Sequence, residues 1–75
     1  MMNVLRILDH TGDTSIPWDP NDAEGTAQVK AEFDKLLGAG HVAFAGNADG
    51  TNMEVVREFP PQAETIIISR PLVGG

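Results

Sequence analysis

One stretch of this chain carries an apolar stripe at helical spacing, and strand-like runs flank it on both sides. Val29, Phe33, Leu36 and Leu37 recur at i, i+4, i+7 and i+8, while Lys30, Glu32, Asp34 and Lys35 lie mostly off that line. A lone helix with one apolar face has to cross a sheet to bury it. With 75 residues, 41% of them hydrophobic, the chain can build one modest core and has no room for a second domain. It contains no cysteine, so neither disulfides nor thiolate metal sites can staple that core, and packing has to hold it.

The helix is expected to open at Asp19-Pro20-Asn21-Asp22. Asp19 is suited to cap, Pro20 to the first helical position, and Asp22 and Glu24 to the positive end of the dipole. Gly25 weakens the first half of the helix by about 1 kcal/mol relative to alanine, and Gly38 and Gly40 end it. Before it, Val4 to Leu8 and Thr14 to Trp18 read as a β-hairpin turning at Asp9 to Asp13 with Gly12 as the permissive residue. Leu5, Ile7, Ile16 and Trp18 then share one face, and Pro17, which has no amide proton, asks for an edge strand. After the helix, His41 to Ala45, Met53 to Phe59 and Thr65 to Ser69 read as strands, with a turn at Asn47-Ala48-Asp49-Gly50 and an interruption at Pro60-Pro61. The unbroken Ile66-Ile67-Ile68 suggests a strand covered on both faces or flanked by two others. The order is ββαβββ, an α+β chain whose first and last strands are the natural pair at the sheet centre.

Five basic residues against eleven acidic ones give a formal net charge of −6. That balance repels nucleic-acid phosphates and anionic lipid, favours a basic partner surface, and also serves plain solubility. No run reaches the length of a membrane span and the first residues lack the pattern of a secretory signal, so a cytoplasmic protein is expected. Gly38-Ala39-Gly40-His41-Val42-Ala43 has the letters of a dinucleotide fingerprint but leaves a helix and enters a strand, the reverse of what phosphate binding needs. Asn47-Ala48-Asp49-Gly50 has part of a calcium loop, yet Ala45 and Val56 occupy the places of the required carboxylates. Asp9, His10 and Asp13 read as a solvated turn, His41 as a helix-end or surface histidine, and no metal or bound cofactor is expected.

The final Gly74-Gly75 follows closely on a strand. Two glycines let an extended backbone enter a narrow channel and present a carboxyl group to attack, although termini often carry glycine for no reason beyond fraying. Gly75 is therefore a candidate reacting group. Neither histidine belongs to an obvious nucleophile and base pair, so no catalysis by the chain itself is expected.

These pieces together resemble ubiquitin and its prokaryotic ubiquitin-like relatives over nearly the full chain. The resemblance is carried by Thr11-Gly12, Pro20-Asn21-Asp22, Val29-Lys30-Ala31, Phe44-Ala45-Gly46, Asp49-Gly50 and Gly74-Gly75 in that order and joint spacing. It implies a β-grasp domain over residues 1–70, with a mixed sheet of four to five strands, and a flexible tail over 71–75. It further implies a modifier whose Gly75 carboxyl is activated by an E1-like adenylating enzyme that uses ATP. An E2-like enzyme, a deconjugating peptidase and target proteins are the remaining implied partners. Departures are informative. The positions resembling ubiquitin's apolar recognition patch hold His10, Ala43 and Ser69, which offer little apolar area, so ordinary ubiquitin receptors are not expected to bind. The tail Arg70, Pro71, Leu72, Val73 is the stretch an activating enzyme would read. Its apolar, proline-bearing character resembles sulfur carriers of thiamin and molybdopterin synthesis and several bacterial modifiers, and a bacterial or viral source is expected. A sulfur carrier is thus the alternative to a modifier, and a non-covalent β-grasp binding module is a third reading. Lys30 and Lys35 are the only lysines. Lys30 matches a largely buried ubiquitin lysine, with its stem packed and its amine paired to an acid, which leaves Lys35 as the better acceptor for self-conjugation.

Overall fold

The structure, a computed structural model, describes residues 2–9 and 12–70. Its elements are β1 (Asn3–Asp9), β2 (Gly12–Trp18), α1 (Ala23–Gly38), β3 (Val42–Gly46), β4 (Glu54–Val56) and β5 (Thr65–Ser69). They form one five-stranded mixed sheet in the order β2-β1-β5-β3-β4, a β-grasp-like α+β fold with α1 across one face.

The hairpin forms in the register that puts its apolar residues together. Leu5 pairs with Ile16 and Asn3 with Trp18, so Leu5, Ile16 and Trp18 stand on the core face. Pro17 lies opposite Val4 on an edge strand, where its missing amide proton is tolerated. The last strand, β5, lies between β1, to which it is parallel, and β3, to which it is antiparallel. First and last strands are thus adjacent at the centre, as the ββαβββ order implies. On β5, Ile66 and Ile68 are fully buried toward the helix and Ile67 is half-buried on the opposite face.

Leu5, Trp18, Val29, Phe33, Ala43, Ile66 and Ile68 make the core, with Phe59 packed against it. Each large apolar side chain so buried contributes about 1.5–3 kcal/mol. Phe59 lies 5.5 Å from both Trp18 and Phe33, ring centre to ring centre. This is why the expected strand from Met53 to Phe59 shrinks to Glu54–Val56: the chain leaves the sheet edge after Val56 and brings Phe59 back to the core. The indole Nε1 of Trp18 is buried with no hydrogen-bond partner among the described residues, a desolvation cost of about 1–3 kcal/mol.

The helix begins later than its capping signals suggest. Asp19 Oδ1 accepts from the Asn21 amide at 2.9 Å, and the Asp22 amide donates to the Asp19 carbonyl at 2.9 Å, so Asp19 and Pro20 close a turn before the helix. Asp22 is the N-cap residue by backbone geometry, and its side chain makes no capping hydrogen bond. At the other end the Gly40 amide donates to Leu37 O at 3.0 Å and the His41 amide to Leu36 O at 3.1 Å. Those two bonds are a Schellman motif, which needs the left-handed φ of +98° found at Gly40. His41 Nδ1 also lies 3.1 Å from Leu36 O, so this histidine acts at the helix end.

Candidate functional site

Parallel pairing of β5 with β1 fixes where the end of the chain leaves the sheet. Leu8 pairs with Ser69, so the backbone emerges from β5 beside the end of β1. Arg70, the first residue of the expected recognition stretch, is exposed there. Pro71, Leu72, Val73, Gly74 and Gly75 lie outside the described residues, as does His10.

Of the three positions expected to face partners, Ser69 lies half-buried on the sheet face opposite the helix, between Leu8 and Val42. Ala43 does not face out. It is 1% exposed and pairs with Ile68 and Val56, all turned toward α1. Strand side chains alternate with period two, so its neighbours Val42 and Phe44 are the residues that point away from the helix. Matching letters to ubiquitin places Ala43 on the wrong face by one residue.

The outward face is more apolar than those three positions suggested. The registers line up Arg6, Ile67, Phe44 and Val55 in one row across four strands. Val55 is 60% exposed and Val42 37%, and Leu8 is also exposed. Arg6 at the end of this row pairs with Asp13 Oδ2 at 3.1 Å, a diagonal contact across the hairpin. The alternation of Val42/Phe44 with Ala43/Ala45 is visible in the letters, and the structure sets its phase by turning the two alanines to the core side. Between the 48–50 loop and the strands sits a cleft of about 430 Å³ that touches Val4, Arg6, Ser15, Asp49, Thr65 and Ile67.

In that loop Asp49 has a lowered pKa. Its carboxyl is held below the ordinary value because Oδ1 accepts from the Thr51 hydroxyl at 2.6 Å and from the Thr51 amide at 3.0 Å.

Lys30 is not buried. Its side chain is 58% exposed and its amine meets Asp34 Oδ2 at 2.6 Å, one turn along the helix, an ion pair worth about 0.3–0.5 kcal/mol. The expected acid partner is present and the expected burial is not. Lys35 is exposed in the last turn of α1.

Among the described residues no helix is long and apolar enough to cross a membrane. No family model, curated protein or solved structure matches the chain.

Proposed function

We propose that this chain is a ubiquitin-like protein modifier, activated at Gly75 and joined through it to target groups. The observation that carries this reading is the central β5. It is paired on both sides and runs parallel to β1, so a strand anchored by two neighbours leads directly to Arg70 and the tail that ends in Gly74-Gly75.

The chemistry follows from the carboxylate, whose oxygen is a poor leaving group. An E1-like partner would join it to the α-phosphate of ATP, releasing pyrophosphate and leaving an acyl-adenylate. A partner cysteine thiolate would then displace AMP to give a thioester, dividing a hard acyl transfer into easier steps. A target amine would finally displace the thiol and form an amide. The absence of side chains at Gly74 and Gly75 suits passage through a narrow active-site channel. In this scheme the chain is a substrate with no catalysis or cofactor of its own, acting in the cytoplasm where ATP is available.

A second reading is favoured by the row Ile67, Phe44 and Val55 on the outward face. Apolar side chains aligned across three strands, Val55 exposed and Ile67 and Phe44 half-buried, suit non-covalent docking of a partner. Deleting Gly74-Gly75 separates the two, because a modifier or a sulfur carrier loses its activity while a binding module keeps its affinity. Sulfur transfer would use the same acyl-adenylate and leave a thiocarboxylate on Gly75, a product that mass spectrometry distinguishes from an amide.

A further inference from the structure

The loop joining β3 to β4 contains Asp49-Gly50, the only aspartate in the sequence followed by glycine. An amide with no side chain beside it is the least hindered nucleophile a backbone can offer to a neighbouring carboxyl. Attack of the Gly50 nitrogen on the Asp49 Cγ forms a new C–N bond, sends the amide proton to solvent and expels a carboxyl oxygen as water. The product is a five-membered succinimide. Water then adds at the Asp49 main-chain carbonyl and the C–N bond there breaks, leaving the chain connected through Cβ as isoaspartate. One water is lost and one regained, and nothing is oxidised or reduced.

Both reacting groups are tied down in the folded loop. The Gly50 amide donates to Asn47 O at 2.9 Å, and the Asp49 carboxylate accepts from the Thr51 amide at 3.0 Å and the Thr51 hydroxyl at 2.6 Å. The ring is closed by the Asn47 amide donating to Thr51 O at 3.0 Å and by Asn47 Nδ2 donating to Thr51 Oγ1 at 3.0 Å. These bonds also favour the ionised carboxylate, which expels oxygen far less readily than the neutral acid. Gly50 holds a left-handed φ of +83°, so the turn itself selects the residue that makes the chemistry possible.

We propose that Asp49-Gly50 is a latent site of spontaneous isoaspartate formation, kept closed by the hydrogen-bond ring of Asn47, Asp49 and Thr51, so that it rearranges only when the loop opens. The extra backbone methylene would break the ring and reshape the cleft that Asp49 shares with Arg6, Ser15, Thr65 and Ile67 on the outward face. The modification would therefore change a surface available to partners without touching the core.

The test is incubation of the full chain at neutral pH, with and without denaturant, and measurement of isoaspartate at Asp49 by isoaspartyl methyltransferase labelling and electron-transfer fragmentation. The native chain should rearrange about tenfold or more slowly than the denatured one, since only the opened loop reacts. Thr51→Val should raise the native rate several-fold and Thr51→Ser should leave it near wild type. Equal rates with and without denaturant in the wild-type chain would overturn the proposal whatever the variants do. A well-folded Thr51→Val chain that rearranges no faster than wild type would overturn it as well.

Discussion

At Ala43 a single methyl group fills space between the sheet and the helix, while Phe44 beside it points the other way. Ala43→Asp should therefore unfold or severely destabilise the chain, by about 3 kcal/mol or more, because an unpaired carboxylate enters the core. Phe44→Asp should cost much less, and comparing urea midpoints of the two variants checks which residue faces in. The sequence showed the alternation of β3 but not its phase, because two alanines are as compatible with an outer face as with a crowded inner one. Asp49 supplies a second residue-scale outcome. Its folded pKa lies below the ordinary 3.8, so its contribution to loop stability is fully present above that value and is lost as pH falls through the lowered one. Replacing Thr51 by valine should raise the Asp49 pKa toward its ordinary value, which a carboxyl NMR titration would read.

Among the elements, legibility in the sequence followed the strength of local periodicity. The stripe Val29, Phe33, Leu36 and Leu37 and the glycine stop at Gly40 identified α1 and its end, where Leu36 and Leu37 carbonyls accept the Schellman bonds. The helix start was misread because Asp19-Pro20 is equally good chemistry for a turn, and only the bond from the Asn21 amide to Asp19 Oδ1 shows which use the chain makes of it. β4 was overestimated because Phe59 has strand propensity but is drawn to Trp18 and Phe33. These differences set an order of local stability. β5 has strand neighbours on both sides, whereas β4 is three residues at an edge, so amide exchange should be slowest in Ile66 to Ile68 and fast at Val55. Exchange of equal slowness in β4 would contradict that ordering.

Over the whole molecule, the central pairing of β1 with β5 was readable because ββαβββ in a short chain leaves few ways to cover one helix, while the order of β3 and β4 beyond it was not. The candidate site was less readable. The reacting end proposed for it is Gly74-Gly75, whose letters are plain in the sequence, but its outward surface depends on a register that letters do not reveal. The row Arg6, Ile67, Phe44 and Val55 is assembled from four strands far apart in sequence. In a molecule of net charge −6 this row sets apolar side chains on the face away from α1, the surface on which the proposed function would have partners dock. The most direct test is intact and tryptic mass spectrometry of the chain isolated from its native host, following the C-terminal peptide. A modifier predicts Gly75 joined by an amide to a lysine or other side-chain group of a foreign peptide. A terminus that is always a free carboxylate, or one carrying sulfur in place of oxygen, would contradict it.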